Sequence, residues 1–250
     1  MKPAAASRPP AVPRQCGGFS FSEMLVAMAI ISLLTLLILP ALGQTKVRSH
    51  RNHSLGNARL LAAASALYSA ENQGRFVALG LDRPSPDHAV MPDPQRTFWP
   101  DLLRPFVENA GAFRAPQIHG VAFGMNCPEL GVWGGSLRVA DVARPAATVI
   151  FANAARMKQE AAGWDLDPRQ WQPEDERAAA WLFRVPGALS TSENEPPAEL
   201  PGLSGAERVH GRYGGVATTI FVDGHADSLR PAQLGFQFPK GHHRAFWDKL

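Results

Sequence analysis

GGFSFSEMLVAMAIISLLTLLILP, residues 17–40, decides how this chain is read. From Phe19 to Leu39 it is apolar apart from a few hydroxyls and one acid, Glu23. Glu23 is also the only charged residue between Arg14 and Lys46. Twenty-one residues at ~1.5 Å each predict a helix ~32 Å long, enough to span a ~30 Å hydrocarbon layer. Leu, Ile, Met and Ala favour that helix. Ser20, Ser22, Ser32 and Thr35 can return their hydroxyls to backbone carbonyls, and Pro40 is placed to bend or interrupt the last turn. A carboxylate in such a run costs on the order of ~3 kcal/mol at a bilayer centre and less at the rim, so its presence asks for a function.

Gly18 precedes Phe19, Glu23 is the fifth residue from Phe19, Pro40 is the twenty-second, and a basic leader (Lys2, Arg8, Arg14) comes first. This arrangement resembles the signal of type IV pilins and type II secretion pseudopilins. The resemblance implies that a prepilin peptidase cuts after Gly18 and methylates the new N-terminus at Phe19. It implies that Glu23 pairs with the Phe19 amine of a neighbouring subunit during assembly, and that the N-terminus faces the cytoplasm. Two other readings use the same residues. One is a secretory signal peptide with a small-residue site, Ala41-Leu42-Gly43, before Gln44. The other is a plain membrane anchor. Lys46, Arg48 and Arg51, just beyond the apolar run, keep loop charge from fixing the orientation.

The sequence of 250 residues has a pI near 9.1, but the excess of base lies in the leader. Residues 1–18 hold Lys2, Arg8 and Arg14 and no acid; subtracting these three from 25 leaves 22 Lys+Arg against 22 Asp+Glu. A balanced mature chain gives no reason to expect nucleic acid as a partner. Cys16 falls in the leader and leaves Cys127 alone, so no internal disulfide is expected; Cys127 reads as a small buried residue.

After the apolar run, residues 46–73 continue helical, with Ala58, Leu61, Ala62, Ser65 and Tyr68 on one stripe. Asn72 and Gly74 mark the end of this helix. The stretch 57–76 also resembles the end of a pseudopilin helix. Residues 77–97 read as a loop, and 97–117 as a short helix with flanking turns. Residues 121–126, 147–154 and 181–185 read as strands. VATTIFVDGHADSL (216–229) reads as a hairpin turning at Asp223-Gly224. Residues 155–208 read as largely irregular, 190–205 as an exposed loop, and FQFPKGHHRAFWDKL at the end as a peripheral tail.

FRAPQ (113–117), FGMN (123–126), RPAATVIFANA (144–154) and RVHGRYGGVATTIFVDGHADSL (208–229) follow the order of a bacterial pseudopilin-like group with a His-x9-Asp-Gly motif. The chain keeps Asp223-Gly224. It has Tyr213 at the histidine position, with His210 three residues earlier, Ala115 where the group has cysteine, and Asn153 where an aspartate is common.

His210, Asp223, His225 and Asp227 are the residues with metal-ligand chemistry, for zinc or another divalent ion. An exposed polar hairpin accounts for the same residues, and a solvated tail for His242-His243. No phosphate loop, nucleophile elbow or paired zinc motif is present.

The expected fold is α+β and pilin-like: leader 1–18, transmembrane and polymerisation helix 19–40, amphipathic continuation 41–76, and exported domain 77–250. The helix would pack on a small antiparallel sheet with long irregular insertions. The expected role is structural and not enzymatic, with no cofactor. It is that of a single-pass inner-membrane subunit, its globular part periplasmic, that joins a type II secretion pseudopilus or type IV-like filament. Its partners would be the prepilin peptidase, an assembly platform, other pilin-like subunits and the membrane. The alternative is a tethered exported carbohydrate-binding or enzymatic domain, for which Trp164, Trp171, Trp181 and Trp247 would have to line an exposed groove.

Overall fold

A stripe of small residues positions the helix of the globular part. In a computed structural model the described residues are 20–250, apart from 88, 116, 117, 119, 136, 187–195, 198, 199, 201 and 202; of 37–42 only the backbone is described. The chain divides into two units, Met1–Thr45 and Lys46–Leu250. Helix α1 is Phe21–Glu71. In the second unit Ser54, Asn57, Ala58, Leu61, Ala62, Ala64, Ser65 and Ser69 are buried. This three-to-four spacing is the predicted stripe, with Tyr68 half-buried at its edge against Phe106 in an edge-to-face contact (5.9 Å, 76°). Ala and Ser let the helix backbone approach the sheet closely. Asn57 Nδ2 donates to the Gly111 and Arg114 carbonyls at 3.3 and 3.0 Å. The helix ends where Gly74 N–H reaches back to Ser69 O (2.8 Å), with Gln73 in the left-handed region at φ 57°. A glutamine, and not only Gly74, therefore makes the reversal.

The remaining elements are β1 (Gly80–Leu81), β2 (Thr97–Phe98), α2 (Trp99–Leu103), β3 (Phe123–Cys127), β4 (Val149–Arg156), β5 (Leu182–Arg184), β6 (Glu207–Val209), β7 (Ala217–Phe221) and β8 (Ala226–Leu229). The main sheet runs β5-β3-β4-β7-β8, and β6 pairs with the end of β4. The pairings are antiparallel except β3–β5, which is parallel (Met125 opposite Leu182). The fold is α+β, but its sheet is mixed where an antiparallel one was expected. A parallel pair needs a long connection, and residues 128–181 supply it. Gly124 sits at that seam: a Cβ there would lie 2.7 Å from both Ala154 Cβ and the Leu182 backbone.

The predicted loop 77–97 contains the small β1–β2 ribbon and is tied down by buried Asp101. Its carboxylate accepts from the Val90 and Met91 amides (2.6 and 2.8 Å) and from Phe98 N–H (3.1 Å).

The C-terminal stretch is a correction. It is not peripheral: Trp247 is 1% exposed, and Ala245 and Phe236 are buried with it. Trp247 Nε1 donates to Gly235 O at 3.0 Å. Val149 N–H donates to Phe246 O, Ala143 N–H to Lys249 O, and Thr148 Oγ1 to Asp248 O. Buried Asn126 bridges the Val149 and Trp247 carbonyls with its Nδ2 (2.9 and 2.8 Å). The tail carries no hydrophobic periodicity because a backbone ladder and one indole hold it. Residues 155–208 are irregular over most of the described length, as expected, but β5, β6 and buried Met157, Trp171 and Phe183 make them part of the core. Cys127 is buried, as expected.

Two substitutions test this packing by urea denaturation. Trp247→Ala will cost about 3–5 kcal/mol, the toll of truncating a fully buried aromatic; a peripheral tail would give almost none. Asp101→Ala will cost about 2–3 kcal/mol, because three amide N–H groups lose their acceptor.

Candidate functional site

Gly18 and Phe19 lie outside the described residues. Ser20 precedes α1, and Glu23 is the third residue of the helix. Ser20 N–H donates to Glu23 Oε2 at 2.8 Å, and Glu23 N–H donates to Ser20 Oγ at 3.2 Å. This reciprocal pair is a capping box: two orphan amides of the helix start are satisfied, and a carboxylate sits at the positive end of the helix dipole. The signature Ser-x-x-Glu at 20–23 carries that information in the sequence. Downstream, Ser32 Oγ donates to Met28 O and Thr35 Oγ1 to Ile31 O, both at 2.7 Å, as expected. The helix continues through position 40, so Pro40 does not interrupt it.

Phe21, Met24, Leu25, Val26, Met28, Ile30, Ile31, Leu33, Leu34 and Leu36 are each more than half exposed in the isolated chain. So much contiguous apolar surface marks an interaction face. Among the described residues no helix is long and apolar enough to cross a membrane. The predicted span 19–40 extends beyond them at Phe19 and at the side chains of 37–40.

The four metal-ligand candidates do not converge. Val222–His225 connect β7 to β8, and of these Val222–Gly224 form the turn, one residue longer than the predicted Asp-Gly turn. Gly224 stands at φ 94°, and Phe221 N–H donates to His225 O. Asp223 Oδ1 meets His225 N at 3.0 Å and His225 Nδ1 at 2.6 Å, while the imidazole stacks on Phe221 at 4.1 Å. Burial opposes the Asp223 charge, yet the bonds from His225 hold its carboxyl below the usual range. Asp227 is exposed and caps its own neighbour, Ser228 N–H. His210 follows β6, its N–H on Asn153 O. Among the described residues no three His, Cys, Asp or Glu side chains are grouped to hold a metal ion. His242 and His243 stack on one another at 4.4 Å, and the carbonyls of both accept from Arg144, a structural arrangement.

Asn153 is the polar residue that the strand pattern did not single out. It is fully buried in β4. Its Oδ1 accepts from Thr218 N–H (2.8 Å) and its Nδ2 donates to Ala122 O (3.2 Å), so one amide ties β4 to β7 and to the residue before β3. A lone Asn inside an apolar run is the signal that would have found it.

The indoles do not form an exposed groove. Trp171, Trp181 and Trp247 are buried, and half-buried Trp164 carries the Arg208 guanidinium 3.8 Å above its ring.

Burial, with Arg212 nearby, holds the His210 imidazole down at about 4, from an ordinary 6.5. The unfolded chain then binds the extra proton first, so stability falls as pH drops from about 6.5 to about 4. The full difference is about 3 kcal/mol. Urea melts of His210→Gln between pH 7 and pH 4 will show a correspondingly flatter loss than the unsubstituted chain.

Comparison with known proteins places the N-terminal segment. Residues 13–39 match the prokaryotic N-terminal methylation motif. No curated protein and no solved structure matches the chain. The match covers Gly18, Phe19, Glu23 and the exposed apolar run of α1. This chain therefore carries the processing and methylation signal of type IV pilins and pseudopilins.

Proposed function

We propose that this chain is a structural, non-enzymatic pilin-like subunit of the pseudopilin kind. Cleavage after Gly18 and methylation of Phe19 by the prepilin peptidase produce the mature form. That form waits in the inner membrane with its globular part in the periplasm. An assembly platform then draws it into a type II secretion pseudopilus or a type IV-like filament with other pilin-like subunits.

The observation that carries this reading is an apolar helix face, each large side chain more than half exposed, with one acid at its start, inside the methylation motif. Lipid covers such a face in a monomer, and neighbouring helices cover it in a filament. The carboxylate that caps its own helix in the monomer becomes, in the filament, a partner for the Phe19 ammonium of the adjoining subunit. The buried indoles favour this scaffold over a glycan-binding groove.

Mass spectrometry of the mature chain will find N-methylated Phe19 at its start. A start at Gln44 supports a secretory peptide, and an intact Met1 a plain anchor. Glu23→Val will stay in the membrane fraction and be lost from sheared filaments; normal incorporation removes Glu23 from assembly.

A further inference from the structure

A cavity of about 440 Å³ opens in the second unit, lined by Val47, His50, Ile118, His210, Arg212 and Tyr213 among others. Arg212 is the unusual group on its wall. Its Nη2 donates to the Ala154 and Ala178 carbonyls at 3.0 and 2.7 Å, but Nε and Nη1 are buried with no hydrogen-bond partner. The Tyr213 hydroxyl, on a residue 7% exposed, has the Ser54 side chain as its neighbour.

The same fold shows what a finished buried arginine looks like. Arg208 donates from Nε and Nη2 to Ala162 O and from Nη1 to the Gly205 and Glu207 carbonyls, and lies flat on Trp164. Arg212 has no carboxylate within ion-pair distance among the described residues. The Asp175 charge reaches Arg212 only from beyond ion-pair distance, and a buried guanidinium with two donors unfilled carries a cost that a close anion lowers.

We infer that this cavity binds a carboxylate carried on a small apolar body, with Arg212 as the charge anchor and the Tyr213 hydroxyl as a second donor. Val47 and Ile118 supply the apolar walls. Binding turns the guanidinium and the phenol out of the wall and onto the ligand. The charge count favours a monoanion over a phosphate dianion: one guanidinium is available, the His210 imidazole is neutral at pH 7, and Asp175 and Glu176 add negative charge nearby. The carboxylate is either a free small acid or an acidic side chain of a neighbouring copy. The inference does not depend on the proposed filament.

Calorimetric titration of the full chain in detergent micelles tests it, with sodium benzoate, neutral benzamide and inorganic phosphate as probes. Benzoate will saturate one site, and the other two will bind at least tenfold more weakly. Arg212 also ties down two carbonyls, so Tyr213→Phe is the cleaner variant. It will weaken benzoate three- to tenfold, the worth of one hydrogen bond. If a neighbour's side chain is the natural occupant, benzoate will also reduce self-association in sedimentation; if a free acid is, sedimentation will not change. Benzoate heats that do not saturate, equal binding of benzamide, or unchanged affinity in Tyr213→Phe overturns the inference.

Discussion

Strand β4 is buried along both faces from Val149 to Ala155, and the rest of the globular part is arranged to keep it so. On one side Ile150 and Phe151 join α1, α2 and β3 in a core with Leu61, Trp99, Phe113 and Phe123. On the other, Val149, Ala152, Ala154 and Ala155 meet Trp171, Phe183, Phe236 and Trp247. A single helix covers one face of a sheet. The second face is left to the long connection before β5 and to the C-terminal stretch, neither of which has a helix or strand of useful length. That explains why irregular chain is so heavily anchored by side chain-to-backbone bonds. Where no ladder satisfies the carbonyls, Asn126, Arg208 and Arg212 do so singly.

Glu23 faces two demands that differ in size. As a capping residue it satisfies an amide and meets a favourable dipole, worth about 1 kcal/mol together. A charge at the centre of an apolar layer costs about 3 kcal/mol on insertion scales. The capping box therefore suffices while the helix start stays near a polar rim. In the proposed filament, where neighbouring helices would enclose it, the box would fall short and the Phe19 ammonium of the adjoining subunit would supply the missing charge. The two arrangements share one oxygen-bearing group, so exchanging the Ser20 amide for an ammonium needs only a local rearrangement at the first turn.

What was legible in the sequence followed the strength of the periodic signal. Ala58, Leu61, Ala62 and Ser65 announced their face of α1 because helix spacing and burial share one period. Strands β3, β4 and β5 and the β7–β8 hairpin were visible as β-branched and aromatic runs. The parallel partnership of β3 and β5 was not, since a strand's pattern says which face is buried and nothing about its neighbour's direction. The tail was misread because Trp247 and a backbone ladder hold it, and neither leaves a period. The residues around the cavity were half legible: His210 stood out as a ligand type, while Arg212 is defined by the donors it leaves unfilled, which only coordinates can show.

The departures from the His-x9-Asp-Gly pattern are consistent with one another in this fold. At position 153 an ionised carboxylate could accept from Thr218 N–H as Asn153 does, but it could not donate to Ala122 O, and two acceptors would then face each other in the core. The amide removes that conflict and removes a buried negative charge with it. Beside it, burial keeps the His210 imidazole neutral, and Tyr213 brings a hydroxyl with no charge at all. The corner where β4, β6 and β7 meet thus has no acid at position 153 while retaining Arg212, with Asp175 and Glu176 near it. Arg212 serves two carbonyls there and still has two donors unfilled beside the cavity, which packing alone does not use.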